Sequence, residues 1–105
     1  MKKPQECADM VDIRAEIDRI DRLIIHLIGE RFGYVKAAAQ FKTTAASVKA
    51  PERLQAMLKE RRDWAEAEGL HPDVIEKMYR DLVNYFIAEE MHHWQDQPDP
   101  KSEKG

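Results

Sequence analysis

The sequence lacks most of the features that would assign a chain to a secreted, membrane-bound or nucleic-acid-bound role. Its 105 residues include one cysteine, Cys7. No intrachain disulfide framework can form, and a reducing compartment fits that count. No run approaches the ~18 uncharged apolar residues of a membrane span. The opening Met1-Lys2-Lys3-Pro4-Gln5-Glu6 leads into no apolar stretch, so no secretory signal is expected. Basic residues are not in excess either: 17 Lys and Arg face 20 Asp and Glu, for a net charge of −3. That balance is wrong for a non-specific nucleic-acid binder. Neither a β pattern nor an internal repeat is present. These exclusions leave a cytoplasmic protein of one domain, with a core modest enough for oligomerisation to help it.

What the sequence does contain is helical periodicity. Ile13, Ile17, Ile20, Ile24, Leu27, Tyr34/Val35 and Ala38 recur at three-four spacing, the pattern of a helix with one buried stripe. Asp9 or Asp12 can cap its start, and no proline interrupts it before about Phe41. Some thirty residues at ~1.5 Å each span ~45 Å, whereas a domain of this size has a radius of gyration of only ~13 Å. Such a helix is expected to outrun its own partner helices, and a second copy of the chain is the simplest cover for its stripe. Gly29 and Gly33, one turn apart, are compatible with close approach of another backbone. Thr43 to Ala50 is small and polar and reads as a loop. Pro51 suits the first position of a second helix, with Leu54, Met57, Leu58, Trp64 and Ala65 as its apolar face and Gly69 as its C-terminal cap. His71-Pro72-Asp73 opens a third helix, whose stripe runs from Val74 through Ile87 to about Trp94. Residues 1–95 form the expected helical domain, and 96–105 a polar, disordered tail.

Three charges sit where apolar residues belong. Arg31 lies on the stripe of the first helix between Leu27 and Val35. Lys42 follows three turns later on nearly the same face, with the small Ala38 and Ala39 between them. Glu90 follows Tyr79, Val83 and Phe86 at helical spacing and points toward the core. Taken singly, each has an ordinary explanation: arginine stems bury while their heads reach water, and Glu90 can simply neutralise a neighbouring cation. Taken together, they describe a polar pocket with an excess of cations, suited to a small dicarboxylate. Arg14 stands seventeen residues before Arg31, ~25 Å away along the helix and about a quarter turn off. By itself Arg14 reads as a surface residue; it could serve the same ligand from the partner chain of an antiparallel dimer, not from its own. Other chemistries are weaker. Glu90-Met91-His92-His93 has the Glu-x-x-His spacing of di-iron bundles, but no second copy of it exists. Cys7 and His26 have no partner arrangement for nucleophilic catalysis. No metal site is expected.

The same residues carry a family likeness. Asp12-Ile13-Arg14, Ile17-Asp18-Arg19-Ile20-Asp21, Gly29-Glu30-Arg31, Tyr34-Val35-Lys36-Ala37-Ala38 and Phe41-Lys42 resemble the long first helix of the all-helical chorismate mutases. Lys2, Pro4, Cys7, Ala50-Pro51-Glu52-Arg53, Trp64-Ala65-Glu66, Gly69-Leu70, Ile87-Ala88-Glu89 and Trp94 bring the chain nearest to the isochorismate-pyruvate lyases of bacterial salicylate and siderophore biosynthesis. The resemblance implies an all-α, three-helix chain in an intertwined homodimer. It also implies a cofactor-free pericyclic elimination of isochorismate to salicylate and pyruvate. It assigns Arg31, Lys42 and the other subunit's Arg14 to the substrate carboxylates and ether oxygen, with Lys42 stabilising charge on that oxygen. Arg53 matches a further polar site position. Val35, Ala38, Met57 and Ile87 match the apolar wall, and the loop after Lys42 matches a lid.

Two positions depart from the pattern. Mutases carry a glutamate for the ring hydroxyl of chorismate where this chain has Leu54, which favours the lyase. Relatives carry glutamine, a hydrogen-bond donor to the ether oxygen, where this chain has Glu90. A carboxylate only accepts, so Glu90 can donate only when protonated, and activity is expected to rise toward acid pH. The alternatives are a chorismate mutase making prephenate, a weak mutase side activity, and a non-catalytic helical dimer or regulatory module.

Overall fold

A computed structural model describes residues 1–41 and 51–96. Three α-helices account for most of them: α1 (Met10–Ala39), α2 (Pro51–Ala67) and α3 (Pro72–Asp96), preceded by a single 3₁₀ turn at Pro4–Glu6. No strand occurs among the described residues. The expected loop at 43–50 and the expected tail from 97 onward lie outside them. None of the described helices is long and apolar enough to cross a membrane.

Local chemistry sets the helix ends. Asp9 is the N-cap of α1: its Oδ1 accepts from the Asp12 N–H at 3.0 Å, and its carbonyl accepts from the Ile13 N–H at 3.2 Å. Asp12 therefore lies inside the helix, free for another use. At the other end, the Gln40 and Phe41 N–H groups donate to the Ala37 and Ala38 carbonyls. These i→i+3 bonds tighten and stop the helix just short of Phe41. Pro51 is the first residue of α2, where its missing N–H costs nothing. Gly69 ends that helix at φ +74°, with Leu70 N–H bonded to the Ala65 carbonyl at 2.8 Å and Gly69 N–H to the Glu66 carbonyl at 3.0 Å. This 6→1 and 5→2 pair is a Schellman motif, whose left-handed residue favours glycine. His71 then caps α3 through its ring, with Nδ1 accepting from the Asp73 N–H at 3.1 Å. The third helix runs to Asp96, two residues beyond its expected end.

The chain divides into two compact units, Met1–Tyr34 and Val35–Gly105. The second holds the packed α2–α3 pair. Its buried residues are Met57, Leu58 and Ala65 on α2 with Phe86 and Glu90 on α3. Arg62 ties the pair at its turn, 2.7 Å from Asp73 and 3.6 Å from Glu76. Trp64, expected on the apolar face, is 54% exposed. It serves instead as one of two ring faces for Arg61, whose guanidinium carbon lies 4.4 Å from its centroid and 5.7 Å from that of Tyr79. Arg61 Nε is buried without a hydrogen bond, and the π faces meet the guanidinium charge.

The first unit is a different case. No residue of α1 is buried. Much of the stripe read as buried is uncovered, with Ile17, Ile20, Ile24 and Leu27 each about half exposed. Periodicity identifies which face of a helix is apolar. It does not say which chain covers that face.

Candidate active site

The sequence-predicted residues fall into three groups. In the α2–α3 pair, Met57 is buried, and Ile87 and Glu90 share a face of α3 with Phe86. Glu90 is 6% exposed, the one charged residue among the buried described residues. A carboxyl group held this far from water on an otherwise apolar helix face is uncommon in a domain core. The last turns of α1 carry Val35 and Ala38, three residues apart on one face and both half-buried, in the same compact unit. Arg53 opens α2 with an exposed side chain and a long, solvent-screened ion pair to Glu60 at 3.9 Å.

The second group is the cations of α1. Arg31 is half-buried, as its place on the stripe implies, whereas Arg14 is exposed. Among the described residues Arg14 forms no ion pair, although Asp18 stands four residues on. The third group is Lys42 alone, which lies outside the described residues.

An open groove on α1, lined by Ala15, Asp18, Arg19, Arg22 and Leu23, contains none of the predicted site residues. Its Arg19 is already engaged, with Nε 2.7 Å from Glu16 Oε2. Among the described residues no cluster of three or more histidines, cysteines or carboxylates is arranged to hold a metal ion.

Sequence reasoning missed one arrangement at the start of the chain. Residues 1–8 fold back on α1, and Asp12 receives both the Lys2 ammonium at 3.0 Å and the Ala8 N–H at 2.9 Å. The Lys2 backbone N–H donates to Glu16 Oε1 at 3.0 Å. The Ala8 N–H and then the Lys2 ammonium hold the Asp12 carboxyl below the usual carboxylate range. The Lys2 N–H and then Arg19 do the same for Glu16. Lys2 itself is pushed up by its hydrogen bond to Asp12. No spacing in the sequence signals the ten-residue reach of Lys2 to Asp12.

Residues 13–91 match the family described as chorismate mutase type II. An isochorismate pyruvate lyase from Pseudomonas aeruginosa is 45% identical over 94 residues, covering 90% of this chain and 93% of that protein. The T-protein of Haemophilus influenzae is 38% identical over 80 residues, and that of Enterobacter agglomerans 34% over 77. The chain spans only 21% of the length of each T-protein.

Proposed function

This chain belongs to the chorismate mutase type II family, and from that premise we propose that it is an isochorismate-pyruvate lyase. The observation that carries the choice within the family is the 45% identity, over nearly the full length of both chains, to a protein of that activity. Leu54 supports it, standing where the resemblance leads one to expect a glutamate in a dedicated mutase.

The reaction converts isochorismate to salicylate and pyruvate. A ring hydrogen moves to the enolpyruvyl methylene as the ring C–O bond breaks, so atoms balance without water or a redox partner. The protein's task is to hold a reactive conformer and stabilise charge on the departing ether oxygen. Arg31 and the partner copy's Arg14 bind the two carboxylates, for which forked guanidinium donors are suited. Lys42 and Glu90 serve the ether oxygen, and Arg53 closes the polar side. Val35, Ala38, Met57 and Ile87 form the apolar wall. The half-burial of Arg31 and the near-complete burial of Glu90 support these roles.

The active form is a homodimer in which α1 of each copy covers the other. Its support is the uncovered stripe of α1 together with an exposed Arg14 that makes no ion pair among the described residues. The single cysteine fits a cytoplasmic setting, where the salicylate would enter siderophore assembly.

The test is to incubate the pure protein separately with isochorismate and with chorismate, then identify the products. Salicylate and pyruvate from isochorismate are expected. Prephenate alone would replace the lyase with a mutase. The absence of all three products would leave a non-catalytic helical module.

A further inference from the structure

Asp12 and Glu16 are one helical turn apart, on the same face of α1, and Arg14 stands between them in sequence. At 100° per residue, Arg14 projects about 200° away from both, on the opposite side of the helix. All three lie within the first two turns, the part of a helix that opens most easily. There the chain has added contacts that the helix itself does not need. Asp9 already caps it, yet residues 1–8 lie against the back of the same turns. Lys2 holds Asp12 through its ammonium and Glu16 through its backbone N–H, and Ala8 closes on Asp12 a second time. The strap therefore grips the face opposite Arg14, leaving the guanidinium unobstructed and the turn beneath it fixed.

We infer that this strap is a positioning device for Arg14, with Lys2 and Asp12 its working residues. By preventing the first turns from opening, it fixes the direction in which Arg14 points. A guanidinium that must meet a substrate carboxylate held by another copy of the chain depends on that direction, because misplacement of a binding group is amplified in the rate. The inference rests on the proposal that Arg14 serves the partner copy's substrate.

The experiment is a double-mutant cycle on isochorismate turnover, using Lys2→Met, Lys2→Arg, Arg14→Ala and Lys2→Met/Arg14→Ala, all as full-length chains. Lys2→Met is expected to lower kcat/KM by about 2- to 5-fold, in the range of an exposed ion pair, chiefly through KM. Lys2→Arg, which keeps the cation, is expected to restore it. In the Arg14→Ala background, Lys2→Met is expected to have no further effect. A merely structural strap would lower kcat/KM by the same factor in both backgrounds, and that result overturns the inference. So does a Lys2→Met enzyme as active as wild type. A wild-type chain that makes no salicylate overturns the functional proposal, and this inference with it.

Discussion

Exchanging Glu90 for glutamine replaces a single heavy atom and converts a titratable acceptor into a permanent donor. Because Glu90 is 6% exposed on the packed face of α3, an isosteric exchange leaves the packing in place. What changes is the hydrogen bond the side chain can offer. Under the proposed mechanism the ether oxygen of the substrate needs a donor, and a carboxyl group supplies one only in its neutral form. Wild-type kcat/KM for isochorismate is therefore expected to climb as pH falls, while Glu90→Gln stays level. At the alkaline end the variant should exceed wild type. The gap is limited by the worth of a hydrogen bond to a charged centre, ~1.5–3 kcal/mol or ~10- to 150-fold, beyond which the reaction proceeds without that bond. Salicylate fluorescence, followed between about pH 5.5 and 9 at constant ionic strength, reads both profiles. Parallel profiles would refute the reasoning. A wild type that is faster than Glu90→Gln at every pH would show instead that the ionised carboxylate does the work.

Three further outcomes follow from the fold. Gly69→Ala should destabilise the chain by ~1–2 kcal/mol from left-handed strain and lower Tm at fixed chain concentration, because φ is +74° while an added Cβ would meet nothing within 4 Å. Gly69→Asn should cost less, and an unchanged melt for Gly69→Ala would contradict the cap. Leu58→Ala, at a position 1% exposed, should cost about 2–5 kcal/mol in urea titrations; a loss under 1 kcal/mol would mean that the α2–α3 core relaxes around the gap. Asp12, Glu16 and Asp73 are all held below the ordinary carboxylate range. Their stabilisation is thus present above the unfolded-state value and lost as pH falls through the lower folded one. Tm should decline from about pH 5 downward, less steeply in Asp12→Asn/Asp73→Asn, and identical acid slopes for variant and wild type would contradict those pairs.

The parts of the molecule set by nearest neighbours were legible in the sequence. Pro51, Gly69 and the His71-Pro72-Asp73 restart each act within a turn of their own position, and each lies where composition placed it. The burial of Glu90 was also legible, because helical spacing fixes its face. The contact of Lys2 with Asp12 was not, since it joins residues ten apart in the chain. Trp64 shows a second limit: its apolar area suits a core, but Arg61 beside it gives the ring a role at the surface. The proposed site draws on more than one helix. Arg14 and Arg31 cannot meet along a single α1, so no pattern within one chain shows whether they share a ligand.

The uncovered stripe of α1 has a consequence for how such an enzyme behaves in a cell. A helix that leaves Ile17, Ile24 and Leu27 half exposed carries the cost of that exposure as long as the stripe stays uncovered. Under the dimer proposed above, folding, assembly and completion of the site become one equilibrium, and chain concentration enters its stability directly. Dilution would then act as an inhibitor, and the rate of synthesis would set not only how many molecules are present but what fraction of them works.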